Sequence, residues 1–254
     1  MLNYRVIANK PDADWVVMVH GAGGSMESWF RQVPEYARHF NILLVDLIGH
    51  GESQDISLID ALGFELIAEQ IIEVVDHLKI DKAHYLALSV GSIIVRQIAE
   101  KYPHRVKKMV MAGAITSLTP KAKLLINFAD TFKRILPFGV LRWLLVKYVV
   151  PNTATNRFYM NDVMKVCFES FLMWMALVNK MSSFVSRLFN VRCEISTLYL
   201  TGEDDKLFLK PVRNMVRCGD ENSALVVVPN AGHACNIENK QFFNKVSLNY
   251  LLLA

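Results

Sequence analysis

Residues Tyr85–Val95 read YLALSVGSIIV. One apolar run leads to a single hydroxyl, Ser89. After Val90 and Gly91 a second apolar run leads away from it. A buried strand that passes through a tight turn into a helix presents its middle residue at the edge of a sheet. Small residues flank that position, because strand and helix approach closely there. Gly91 is one small flank. Ala87 is the other, one methyl larger than the first glycine of G-x-S-x-G, and Leu88 offers no polar group. Alone, the pattern fits equally a serine that N-caps a helix by accepting a backbone N–H. The rest of the chain has to separate the two.

A serine nucleophile needs a base, and the base needs an orienting acid. In sheets with such an elbow the chain order is Ser, acid, His. Of the seven histidines, only His233 follows every expected strand, in the Gly-led stretch PNAGHACNIENKQF (229–242). The acid should leave an earlier strand end. LYLTGEDDKLF (198–208) supplies a strand, a glycine, then Glu203, Asp204 and Asp205, although an acidic surface turn has the same composition. MAGAITS (111–117), after another strand, holds no carboxylate. HGAGGS (20–25) places three glycines in five residues directly after the first apolar strand, where backbone N–H groups can turn toward a ligand. Such donors serve transition-state oxyanions, each worth about a hundred- to a thousand-fold in rate. The stretch lacks the Lys of a phosphate-binding loop and is not a dinucleotide fingerprint, so phosphate binding falls behind.

Around these stretches, short β-branched runs alternate with amphipathic ones. Strands are expected at Trp15–Val19, Ile42–Leu47, Ala83–Leu88, Val106–Ala112, Thr197–Thr201 and Ala224–Val228. Their near-continuous apolar character fits a sheet covered on both faces. Between Asp60 and Lys79, Ile67, Ile71, Val74, Val75 and Leu78 fall on one helical face. Val90–Tyr102 reads as a second helix, ended by Pro103. This alternation predicts an α/β fold with a mostly parallel, doubly wound sheet. Ser117 to about Val191 breaks it. That segment has no clear strand, many aromatics and three prolines (Pro120, Pro137, Pro151), and reads as a helical lid over the strand ends. The expected division is therefore a core of residues 1–116 and 192–254 with a lid insertion at 117–191. The Met- and aromatic-rich Met173–Met181 is expected to pack the lid first and line a pocket second.

Bulk composition bounds the function. The 254 residues are 52% hydrophobic and 20% charged, which fits one folded domain with an insertion. The net charge of +4 reads as ordinary surface scatter, with no basic tail for nucleic acid. Apolar runs break before roughly 18 residues, so no membrane span is expected, and no secretory h-region opens the chain. Cys167, Cys193, Cys218 and Cys235 have neither metal-ligand spacing nor a disulfide framework, and reduced cytoplasmic thiols fit best. Cys235 reads as a small buried filler rather than a reactive thiol.

Taken in order, HGAGGSMESW, VDLIGHGES, LALSVGSIIV, LYLTGEDD and AGHACNIEN resemble the landmarks of the α/β-hydrolase superfamily, from Trp15 to about Tyr250. The resemblance implies Ser89 as nucleophile and His233 as base, then acid. Its usual strand–G-x-x-D acid loop points to Asp205 over Asp204. It also implies oxyanion donors in the backbone N–H groups of Val90 and Ala22, with Gly23 as a further possibility. His20, Asp46 and His50 would brace the scaffold, and Glu238 would stand near the start of the last helix. Ala87 and Lys240 depart from the usual glycine and proline. Implied is a serine esterase with a small hydrophobic ester-like substrate and no cofactor or metal. The same triad on a C–C, amide or thioester bond is the alternative, as is a low-turnover ligand receptor. The oligomeric state stays open.

Overall fold

Seven strands make one sheet in the order β1-β3-β2-β4-β5-β6-β7 in this computed structural model, which describes residues 1–8, 10–54, 62–151, 153–218 and 221–253. They are β1 (Tyr4–Ile7), β2 (Trp15–Val19), β3 (Asn41–Val45), β4 (Ala83–Leu88), β5 (Val106–Ala112), β6 (Thr197–Gly202) and β7 (Ser223–Val228). Every neighbouring pair is parallel except β1 against β3. The inner strands are buried on both faces. In β2, Val17 and Val19 join one core cluster, while Val16 and Met18 join the cluster on the other face. Helices α2 (Phe64–His77) and α3 (Val90–Lys101) cover the first face, and α10 (Lys240–Leu252) covers the second. Short α1 (Val33–Tyr36), α8 (Leu209–Arg217) and α9 (Cys235–Glu238) complete the core.

The chain order reverses beside β2, which has β3 on one side and β4 on the other. The carboxyl ends of strands beside such a switch point open into a crevice where ligands bind. Both HGAGGS and Ser89 leave the sheet there.

Between β5 and β6 the chain forms four helices and no described strand: α4 (Pro120–Phe132), α5 (Phe138–Val149), α6 (Thr153–Val163) and α7 (Phe168–Asn190). The three prolines mark the starts of the first three. Pro120 opens α4, Pro137 caps α5, and Pro151 lies two residues before α6. Proline tolerates a first helical turn because the N–H it lacks would have no helical partner there. In α7, Met173, Trp174, Leu177 and Met181 join the main core cluster, so this face packs as expected.

Four elements differ from the sequence reading. Strand β3 ends at Val45 rather than Leu47, because the next residues bond elsewhere. The Asp46 carboxylate accepts from the N–H groups of Met26 (2.8 Å) and Glu52 (3.1 Å), and Leu47 N–H donates to His20 Nε2 (3.0 Å). Helix α2 starts at Phe64 and stops before Lys79, whose φ of 56° is the left-handed turn that ends many helices. Asp60, where the reading began that helix, lies outside the described residues. Strand β1 and helix α8 were not expected at all. Among the described residues, no helix is long and apolar enough to cross a membrane.

Candidate active site

Ser89 sits between β4 and α3 with φ 53° and ψ −120°. A non-glycine residue in that region costs roughly 1–3 kcal/mol and persists only when its surroundings impose it. Here Ser89 N–H donates to Ala112 O (2.9 Å), and Ser89 O accepts from both the N–H (2.9 Å) and the hydroxyl (2.6 Å) of Ser92. Gly91 is required where α3 meets β2, since a Cβ there would lie 2.7 Å from the carbonyl oxygens of both Val19 and His20. Ala87 is fully buried in β4, and the elbow forms around its methyl. The Ser89 hydroxyl does not cap α3, which removes the helix-cap alternative.

Instead, Ser89 Oγ lies 2.9 Å from His233 Nε2, and His233 Nδ1 lies 2.8 Å from Asp205 Oδ2. An ionised carboxylate only accepts, so Nδ1–H donates to Asp205 and Nε2 is left to accept the Ser89 proton. Burial opposes ionisation of Asp205 most. The His233 ring and the Phe208 and Leu207 N–H groups outweigh it, and its carboxyl is held below the usual range. Those two N–H groups meet Asp205 Oδ1 at 3.0 and 3.1 Å. Of the three acids left open by composition, Glu203 and Asp204 face solvent and only Asp205 reaches the imidazole.

The HGAGGS loop lies against this serine. A Cβ on Gly21 would come within 3.0 Å of Ser89 Cβ. Gly23 N–H donates to His50 Nε2 (2.8 Å), so the third donor raised from sequence is already engaged. Ala22 N–H has no partner among the described residues, and Val90, as the first residue of α3, has no helical acceptor.

Two buried histidines hold the loop. His50 accepts from Gly23 and directs Nδ1 to Ile48 O (3.2 Å). His20 accepts from Leu47 and directs Nδ1 to Gly21 O (2.8 Å). Each ring must accept at one nitrogen, so each is neutral. Burial drives both pKa values down, that of His50 to about 3, with His20 nearby adding to the effect. Asp46 ties the same region through Asn3, Met26 and Glu52. The bracing role expected for His20, Asp46 and His50 is what the contacts describe, and His50 also faces the cavity.

Sequence reading missed Gly113. With φ 51° at the end of β5, it leaves room for His233. A Cβ there would lie 2.8 Å from His233 O and 3.0 Å from Nδ1. The available signal was a glycine at once after a strand, in the stretch noted only for lacking a carboxylate. Glu238 ends α9 rather than opening α10, and it accepts from Gly232 N–H just before His233. Burial foremost raises its carboxyl above the usual range. Cys235 is buried, with its thiol 3.4 Å from Leu200 O and its pKa pushed up by burial, so it is a filler and not a thiolate.

Ser89, His233, Gly21, Ala22 and Leu88 form one side of a cavity of about 210 Å³. The insertion forms the other side with Val146, Tyr159, Val163, Phe171, Trp174 and Met175. Part of α7 therefore lines the cavity besides packing the core. Among the described residues, no cluster of side chains is suited to a metal ion.

The sequence profile of the alpha/beta hydrolase fold matches residues 14–151. The chain belongs to that family and is a hydrolase by class. It is 22% identical over 252 residues to (E)-2-((N-methylformamido)methylene)succinate hydrolase of Acinetobacter baylyi, covering 93% of this chain and 89% of that protein. Among solved structures, an enol-lactonase from Burkholderia xenovorans superposes with a TM-score of 0.84 at 18% identity, over 99% of this chain and 96% of the other. A thermophilic esterase from Thermogutta terrifontis does so with 0.81 at 22% identity, over 98% and 92%. At these identities the structural likeness speaks to the fold.

Proposed function

We propose that the chain is a serine hydrolase that cleaves carboxylic esters through an acyl-enzyme. One observation carries this reading: a strained serine hydrogen-bonded to a histidine that is itself hydrogen-bonded to a buried carboxylate, with the serine and the histidine on the wall of a largely apolar cavity. Ser89 Oγ attacks the ester carbonyl while His233 Nε2 takes its proton. Asp205 keeps the imidazole in the accepting tautomer and stabilises the imidazolium. The Ala22 and Val90 N–H groups hold the oxyanion. His233 then gives the proton to the departing alkoxide, and a water activated in the same way releases the acid. The apolar wall supplied by the insertion selects a hydrophobic group and acts as the lid of the site.

Relatives named for an enol-lactone, a succinate derivative and esters share this architecture, so the bond cleaved depends on the cavity more than on the fold. The test is fluorophosphonate labelling with a panel of p-nitrophenyl esters. The wild-type chain labels at Ser89 and turns over short acyl esters, and Ser89→Ala does neither. Undiminished turnover in that variant would refute the mechanism. Labelling without turnover of any ester would move the reading to a different bond or to a ligand receptor.

A further inference from the structure

Among the described lining residues, Arg142 on α5 is the only Lys or Arg facing the Ser89 cavity. It is 9% exposed. Its Nη1 donates to three carbonyls at the end of α6, those of Val163 (3.1 Å), Met164 (3.2 Å) and Val166 (2.8 Å). Its guanidinium carbon lies 3.8 Å from the centre of the Phe138 ring. Those contacts add a donor to carbonyls at the negative end of the helix dipole, where Val163 O also accepts from Val166 N–H (3.3 Å). They account for one nitrogen. Nε is buried without a partner, and neither Nη2 nor the charge as a whole meets a carboxylate among the described residues.

A buried guanidinium without an anion is costly, and a buried donor without an acceptor adds to that cost. Capping alone would not require it, since a shorter neutral donor could reach one carbonyl cluster. Nε and Nη2, neither of which has a hydrogen-bond partner among the described residues, share one edge of the guanidinium plane. That edge is the fork that binds both oxygens of a carboxylate. Leu145, Val146, Val149, Val163 and Phe171 supply an apolar part of the wall. The volume of about 210 Å³ is below the 300–1,000 Å³ usual for drug-sized ligands. The space suits a short chain with a reactive carbonyl at one end and a carboxylate at the other.

We propose that Arg142 is a specificity-determining residue, and that the preferred substrates are half-esters of short dicarboxylic acids, with the free carboxylate of the acyl chain seated on the Nε–Nη2 edge. This rests on the serine-hydrolase reading for the chemistry at Ser89 and adds the acyl half that the site selects.

Alcohol release is measured for the monoethyl esters of glutaric and adipic acid and for ethyl pentanoate and ethyl hexanoate, which match them in chain length but lack the carboxylate. In the wild-type chain, kcat/KM is at least tenfold higher for the half-esters, mostly through KM. Arg142→Met and Arg142→Gln lower that selectivity ratio roughly 10- to 100-fold, the size expected for charged hydrogen bonds, and Arg142→Lys restores part of it. A wild-type ratio near one, or a ratio unmoved in folded Arg142→Met, overturns the proposal. Because Arg142 also caps α6, the wild-type ratio decides the matter if the variants do not fold. The shift in melting temperature of Ser89→Ala with monoethyl adipate against ethyl hexanoate separates the two readings. Selective stabilisation without turnover in the wild type leaves the carboxylate subsite standing and removes ester hydrolysis. Turnover without selectivity does the reverse.

Discussion

The sheet core and the four-helix insertion are built on opposite terms. The strands that carry Ser89 and Asp205 are buried along their whole length, and the turns beside them are fixed by close backbone contacts. The insertion leaves Leu124 70% and Ile135 69% exposed, with Trp143 and Tyr148 about half exposed. Charge divides along the same line. Residues 117–191 hold ten Lys and Arg against three Asp and Glu, and the rest of the chain holds eighteen against twenty-one. The modest net charge therefore hides an uneven distribution, not the even scatter that the total suggested. The Ser89–His233–Asp205 chain comes wholly from the core, and most of the facing cavity wall comes from the insertion. Geometry that must hold to a fraction of an ångström sits where the backbone has no freedom. On the proposed function, substrate choice would sit on helices outside that fixed geometry.

The largest test of this division is kinetic. Ser89→Ala should cost on the order of 10⁶-fold in kcat, and Asp205→Asn about 10⁴-fold, with the fold intact by circular dichroism. A wall substitution in the insertion, Val146→Ala, removes two methyl groups from the cavity. It should change kcat/KM between chain lengths by no more than about 200-fold. An insertion variant as damaging as Asp205→Asn would place chemistry on the wrong side of the division.

Glycine substitutions separate the two regions by stability. A Cβ at Gly202 would meet the carbonyl oxygens of Gly232 and Ala231 at 2.1 and 2.2 Å, on the strand end that leads to Asp205. Gly202→Ala should destabilise by about 3 kcal/mol or more in urea unfolding, since backbone has little room to yield. Gly139, in the first turn of α5, meets nothing closer than Met164 at 4.0 Å. Gly139→Ala should be neutral or stabilise by up to about 1 kcal/mol. Equal penalties would mean that the insertion is packed as tightly as the core.

How legible the molecule was from sequence follows from the same contrast. Ser89 and His233 could be read because each stands alone after an apolar strand. Asp205 could not be chosen from composition, because three adjacent acids differ only in where the turn points them. The N–H groups of Leu207 and Phe208 settle it in space. Strand β1 has four residues, of which Arg5 and Val6 are exposed, and edge pairing gives it no apolar signature. Gly113 and the cavity face of His50 depend on contacts between segments far apart in the chain. The insertion was readable as helical from its prolines and its lack of strands. Which of its side chains turn toward Ser89 depends on how four helices seat, and no local pattern carries that.

Mild acid should act on the core first, because the insertion contains no histidine. Burial foremost lowers His50 to about 3 and His84 to about 4, and it lowers His20 as well. Each takes up a proton near pH 6.5 when unfolded and stays neutral when folded. Their contribution is full above about pH 6.5 and is lost as pH falls toward 4 and then 3, with a slope of up to about 1.4 kcal/mol per pH unit for each. Asp205, held low, adds a loss only below about pH 4. Glu238, raised by burial, works in the opposite sense as pH falls through its folded value. Urea unfolding at pH 7, 5.5 and 4.5 should show the decline, and His50→Asn should flatten it. A pH-independent midpoint over this range would contradict neutral buried histidines. Folded His50 keeps accepting from Gly23 until pH nears 3, so His50 should not itself lower the activity of the folded chain over this range.

The smallest effect lies on the seam between the two regions. Ser25 Oγ donates to Asp162 Oδ2 on α6 at 2.9 Å and also accepts from Glu27 N–H at 3.2 Å, capping the turn that follows the HGAGGS loop. Trp174 Nε1 donates to Ile48 O at 2.9 Å, and the Phe30 and Phe158 rings stack at 4.6 Å, so the seam does not depend on Ser25 alone. Ser25→Ala removes the cap and leaves a buried carboxylate short of one donor, a loss of about 1–2 kcal/mol in stability. If the core holds the reacting groups by itself, kcat should stay within about threefold while KM rises by up to roughly tenfold, through poorer seating of α6 over the cavity. A fall in kcat with KM unchanged would mean that the insertion helps to set the geometry of the HGAGGS loop. The two regions would then be coupled through this one hydrogen bond more strongly than their separate packing implies.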